Sequence, residues 1–160
     1  MTTVVRSSIY WLMHDLKQDI GYWISRFAAQ VRCEFERKLA AFEITVPQWC
    51  ILLSLHGKCA SSITELSAHI GVDKATISRT VERLVKMALV KRQPGFDRRS
   101  ESLVLTQKGQ ELVPRLISCA EENEREFFGC LSSDEENTLQ RIWKKLMLNQ
   151  TDIEKEGWIK

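Results

Sequence analysis

Residues 63–92, ITELSAHIGVDKATISRTVERLVKMALVKR, hold two helical patterns with only a short break between them. Ser62 and Glu65 have the spacing of a capping box, in which the serine hydroxyl meets the third helical N–H and the glutamate reaches back. That predicts a helix over Ile63–Ile70, ended at Gly71. Asp73 is a good N-cap for a second helix, Lys74–Ala88. Ile77, Val81, Leu84, Val85 and Ala88 lie on one face of it, the side expected to turn inward. Two helices joined so tightly at a glycine form a helix-turn-helix. Two strand-like runs follow, Leu89–Gln93 and Ser102–Leu105, with Pro94 and Gly95 marking the bend. A hairpin directly after the second helix makes the unit a winged helix.

The flanks are helical too. From Leu12 to Phe42, Leu16, Ile20, Trp23, Phe27, Val31, Phe35, Leu39 and Phe42 recur every three or four residues, the face of one long helix. A helix that long is expected to reach a partner. Pro47 opens a short helix ended by Gly57. Thr106 caps a helix running to about Cys130, with Pro114 inside it as an expected kink. Ser132 or Ser133 caps a last helix carrying Leu139, Ile142, Trp143 and Leu146. The fold class is therefore mainly α with a small β hairpin. The three flanking helices carry more large apolar residues than a lone winged domain can cover, which points to a dimer.

The 160 residues are 44% apolar and 28% charged, an ordinary composition for one folded domain that needs no disulfide or metal staple. No stretch approaches the ~20 apolar residues of a membrane span. The N-terminal residues lack the apolar core and cleavage site of a secretory signal, and the five cysteines are odd in number with no C-x-x-C pair. Both observations favour a reducing cytoplasm. His14, His56 and His69 form no metal-ligand spacing, so neither a metal nor a cofactor is expected. No P-loop, G-x-S-x-G or G-x-G-x-x-G occurs, and Cys50 and His56 sit about 240° apart around a helix. The chain does not read as an enzyme.

The formal charge of +2 hides an uneven distribution. Between Asp73 and Arg99 stand eight basic and three acidic residues, a surplus of five that leaves a net −3 elsewhere. Counterion release on DNA needs such a local concentration, not a basic whole. Lys74, Thr76, Ser78 and Arg79 occupy the first two turns of the second helix, where a recognition helix meets base edges. Arginine can pair with guanine, while the hydroxyl residues suit bases more generally. Arg83 and Lys86, further along, suit phosphates.

From Gly21 onward the chain resembles the MarR family of transcription regulators, most specifically from Ser62 to Gly109. The 63–92 stretch is similar to that family's helix-turn-helix. FDRRSESLVLTQKG (96–109) resembles its wing, with a D-x-R pattern at Asp97 and Arg99 and a Leu-Thr-x-x-Gly entry to the next helix; ITVPQW (44–49) resembles the start of its second helix. The resemblance implies a single domain over 1–160, with dimerisation helices at 12–46 and 106–160 around a DNA-reading region at 47–105. It implies a homodimeric repressor on a palindromic operator, two recognition helices entering major grooves ~34 Å apart. It places Arg99 in the minor groove, oriented by Asp97, and Arg98 is then a phosphate contact.

Members of this family respond to aromatic acids, to thiol oxidation or to zinc. The family's effector pocket implies Tyr22, Trp23, Arg26 and Trp49 as ligand residues, with His56 on the margin; the alternative is that both tryptophans are core and Arg26 a surface or dimer salt bridge. The position of the peroxide-sensing cysteine falls at Gly21, and Thr106–Cys130 holds no histidine for zinc. Cysteines in helices are expected as apolar filler, with Cys59 the most exposed. A thiol-oxidation sensor of the same fold, or a winged-helix protein without a regulatory role, stays open as an alternative.

Overall fold

The computed structural model describes residues 19–94 and 101–155, with side chains to residue 148. The order is α1 (Ile20–Ala40), α2 (Val46–His56), α3 (Ile63–Ile70), α4 (Lys74–Lys86), β1 (Val90–Pro94), β2 (Glu101–Leu105), α5 (Gln107–Phe128) and α6 (Ser133–Lys155). The chain divides into two compact units, one through Ala120 and one from Glu121.

The first unit is built on side-chain caps. Thr45 and Gln48 form a capping box at the start of α2, a signal beyond the expected Pro47. Ser62 Oγ accepts the Glu65 N–H, as expected, but the Glu65 carboxylate turns to Ser61, accepting from its N–H at 2.7 Å and its hydroxyl at 3.0 Å. Asp73 Oδ1 accepts the Thr76 N–H at 2.9 Å and starts α4. Thr106 Oγ1 receives the Gly109 N–H at α5 and itself donates to the Ala88 carbonyl at 2.7 Å, which ties that cap to the end of α4.

Helix ends follow one pattern. After α1, α2, α3 and α4, a residue in the left-handed region reverses the chain: Glu43, Lys58, Gly71 and Ala88. The next N–H returns to a carbonyl of the last helical turn, as in Leu89 to Leu84 at 3.0 Å. Glycine fits this conformation without steric cost, which Gly71 uses at φ +75°. The turn at Ala88 corrects the expected inward stripe. α4 stops at Lys86, so Ala88 is exposed and Leu89 takes the buried place beyond it.

The core of this unit gathers Leu39, Ile51, Leu52, Leu66, Val81, Leu84, Leu89, Val90, Leu103, Val113 and Leu116, all almost fully buried. Burying each such side chain contributes about 1.5–3 kcal/mol before entropy is counted. The wing stem is an antiparallel pair in the register Val90↔Leu105 to Pro94↔Glu101. Gly109 sits so close to this stem that an added Cβ would stand 2.2 Å from the Leu89 carbonyl oxygen.

α1 is buried only at its C-terminal end. Leu39 is wholly covered, whereas Ile20, Trp23, Ile24 and Phe27 are exposed. The part of the expected helix before Asp19 lies outside the described residues. α5 runs through Pro114.

In the second unit, Ser132 and Glu135 form the box that begins α6: Glu135 Oε2 accepts the Ser132 N–H and hydroxyl, both at 2.8 Å. Ile142, Trp143, Leu146, Met147 and Leu148 of α6 are exposed.

Candidate nucleic-acid interface

α4 presents two opposed faces. Ile77, Val81 and Leu84 turn into the core. At about 100° per residue, Lys86 and Arg79 lie directly opposite that stripe, flanked by Ser78 on one side and by Arg83 and Thr76 on the other. Lys74, Arg79, Arg83 and Lys86 are exposed, while Thr76 and Ser78 are half-buried. Arg79, Lys86, Arg83, Thr76 and Ser78 therefore share the outward half of the helix, while Lys74, exposed in the first turn, stands beside the Val81 row.

The first turn is ordered by its own hydrogen bonds. Thr76 is the hub: its N–H donates to Asp73, its carbonyl accepts the Thr80 hydroxyl at 2.8 Å, and its Oγ1 accepts Arg79 Nη2 at 3.4 Å. The Thr76 hydrogen bonds hold the Asp73 carboxyl below its ordinary pKa. An ionised Asp73 suits the positive end of the helix dipole.

The other end of α4 is also pinned. Lys108 Nζ donates to the Met87 carbonyl at 3.1 Å, and Gln48 Nε2 reaches Met87 Sδ at 3.6 Å. In the wing stem Arg92 pairs across the strands with Glu101. These contacts escaped the sequence reading. Lys108 and Met87 are far apart along the chain, and a charge on a strand does not say which facing carboxylate will meet it. Asp97, Arg98 and Arg99 of the wing tip lie outside the described residues.

The four residues expected around an effector separate. Tyr22, Trp23 and Arg26 form one cluster on α1: Arg26 Nη1 donates to Tyr22 Oη at 3.1 Å and its guanidinium lies 5.9 Å from the Trp23 ring. The Tyr22 and Trp23 rings meet edge to face at 5.5 Å. Trp49 is buried in the core, edge-on to Phe35 at 6.0 Å. Phe35 stands nine residues beyond Arg26 on the same helix, ~14 Å along its axis. In the single chain Trp49 therefore packs in the core, apart from the Tyr22–Trp23–Arg26 cluster.

Cysteine placement also differs from expectation. Cys33 and Cys130, read as filler, are exposed, as is Cys59. Burial pushes the Cys50 thiol above its ordinary pKa and suppresses its thiolate. Among the described residues no group of three His, Cys, Asp or Glu side chains is arranged to hold a metal, and no helix is long and apolar enough to cross a membrane.

Known proteins share this architecture. Residues 44–100 match the model of the MarR family. A cysteine-to-serine variant of MarR from E. coli in complex with operator DNA is 25% identical with a TM-score of 0.71, covering 79% of this chain and 92% of that one. CouR from Rhodococcus jostii RHA1, bound to p-coumaroyl-CoA, superposes with a TM-score of 0.76 at 20% identity, over 83% of this chain and 94% of that one. BpsR of Bordetella bronchiseptica, whose DNA binding is regulated by 6-hydroxynicotinic acid, has a TM-score of 0.74 at 23% identity, over 84% and 96% of the two chains. The opposed faces of α4, the paired wing stem and the family match lead to one assignment: residues 44–100 are a MarR-family winged helix-turn-helix region, in a chain that folds like the MarR transcription regulators.

Proposed function

We propose that this regulator acts in the cytoplasm as a homodimer that represses transcription from a palindromic operator and is released by a small organic effector. The observation that carries the reading is α4. Its apolar side is consumed by the core, which leaves Thr76, Ser78, Arg79, Arg83 and Lys86 together on the free side, with Lys74 exposed at the first turn. Lys74, Thr76, Ser78 and Arg79 read base edges, Arg83 and Lys86 bind phosphates, and the wing adds Arg99 in the minor groove, set by Asp97, with Arg98 on the backbone.

The dimer reading is supported by the bare apolar faces of α1 and α6. Trp23 and Phe27 on one, and Trp143 and Leu146 on the other, are each more than 40% exposed in the single chain. Residues 12–46 and 106–160 would supply the dimer helices around the reading region at 47–105. For the effector, the Tyr22–Trp23–Arg26 cluster pairs aromatic surface with a cation, which suits an aromatic acid. CouR and BpsR are each linked to an aromatic compound.

The direct test is titration of the chain's own promoter DNA at several salt concentrations, with and without aromatic acids and peroxide. A single high-affinity site weakened by an acid supports the proposal. Uniform binding to all DNA would leave a winged-helix protein without regulatory specificity. Release by peroxide alone would favour the thiol reading, which the exposure of Cys33, Cys59 and Cys130 supports.

A further inference from the structure

The wing stem ends on an exposed ion pair. β1 and β2 run in the register Arg92↔Leu103 and Pro94↔Glu101, so Arg92 and Glu101 are diagonal neighbours on one face of the hairpin. Arg92 Nη1 donates to Glu101 Oε2 across the strands. The stem does not depend on this bond. Its backbone ladder holds the strands together, and Val90, Leu103 and Leu105 anchor them in the core. The two side chains keep 34% and 53% of their surface in solvent, where an ion pair adds little stability.

The pair matters for what it keeps the guanidinium from. A phosphate offers arginine the same kind of anionic oxygens as a carboxylate, and the guanidinium fork fits both. Arg99, proposed for the minor groove, precedes Glu101 by two residues, so the chain holds their Cα atoms within about 7 Å. The end of the stem therefore goes with the wing tip to the DNA backbone. A free Arg92 there would meet phosphates whatever the sequence, because phosphate contacts carry no base information. Glu101 already occupies it. The neighbouring Lys91 stands on the opposite face of β1 and forms no ion pair among the described residues. The restraint thus falls on one of the two stem cations.

We infer that Glu101 acts as an internal substitute for phosphate: it holds Arg92 off the DNA backbone and so limits the wing's sequence-independent grip. This inference rests on the DNA-binding reading. In the bound protein Arg92 stays on Glu101, and the pair brings no net charge to the backbone.

The test compares three full-length proteins on a duplex of scrambled sequence: the parent, Glu101→Gln, and the double variant Arg92→Gln/Glu101→Gln. Glu101→Gln is expected to bind more tightly and to lose about 3.5-fold more affinity between 50 and 200 mM salt, as one added phosphate contact requires. The double variant should return to the parent's salt dependence. Guanidinium NMR on arginine-labelled protein separates a direct contact from a change in overall charge. In the parent, the Arg92 guanidinium should be protected from exchange with water before DNA is added and stay unmoved by it. In Glu101→Gln it should be unprotected alone and become protected on DNA. An Arg92 signal that DNA shifts in the parent, or leaves unmoved in Glu101→Gln, would overturn the proposal. So would an unchanged salt dependence in Glu101→Gln. A double variant less salt-dependent than the parent would put Arg92 on phosphate from the start and overturn it too. A parent with no affinity for DNA at about 50 mM salt would reject the DNA-binding reading, and the proposal with it.

Discussion

α1 and α4 carry the same kind of apolar stripe and meet opposite fates. In α4, Ile77, Val81 and Leu84 are at most 3% exposed. In α1, exposure falls from 76% at Ile20 through 41% at Phe27 to 0% at Leu39. Periodicity shows that a face needs cover without saying what supplies it. α4 is covered by its own chain, so its polar arc is the one left for DNA. The N-terminal half of α1 is not, and in the homodimer reading a second copy covers it together with the α6 stripe.

The largest effect should come from removing a residue on the covered side. Leu84→Ala is expected to destabilise the fold by about 3 kcal/mol in urea unfolding, from lost transfer energy and a residual cavity. A negligible change would mean that α4 is not held by its apolar face, and the contrast with α1 would collapse. On the uncovered side, Trp143→Glu should weaken the dimer by about 2 kcal/mol or more, read by sedimentation as a shift to monomer, with helix content retained. An unchanged dimer would remove the α6 face from the interface.

DNA binding should separate the two faces further. Arg99→Ala is expected to cost operator affinity about 1–2 kcal/mol, and unchanged affinity would reject the wing assignment. Arg79→Ala should relax sequence preference, whereas Lys86→Ala should weaken all DNA equally and lower the salt slope by about 0.9. The reverse pattern would exchange their roles.

The smallest effect is on pH dependence. Asp73 has a folded pKa below its ordinary value of 3.8. Its cap therefore contributes fully above that value and is lost as the pH falls through the lower folded one. Asp73→Asn should flatten that acid limb of thermal stability slightly; an identical limb would deny the carboxylate any role in starting α4.

The helix-turn-helix was legible because its signals are local. Ser62, Gly71 and Asp73 act within a few residues of themselves, and the structure ends or begins a helix at each. Ala88 was misread for the complementary reason. Its hydrophobicity continued the stripe, but the left-handed turn that ejects it is held by Thr106 Oγ1 on its carbonyl, a bond across eighteen residues. The recognition arc was readable because the side of a helix opposite its apolar stripe follows from residue spacing alone. The pins at Lys108 and Gln48 were not, since each joins residues that only folding brings together.

Trp49 marks the same boundary. A tryptophan beside the start of α2 reads equally as core or as pocket wall, and its packing on Phe35 decides for core. Local chain chemistry settled where the helices start, where most of them stop and which face of α4 is polar, because caps, turns and periodicity act over a few residues. Packing alone decided which apolar stripe is covered and which aromatic is core, because each of those depends on neighbours distant in the chain.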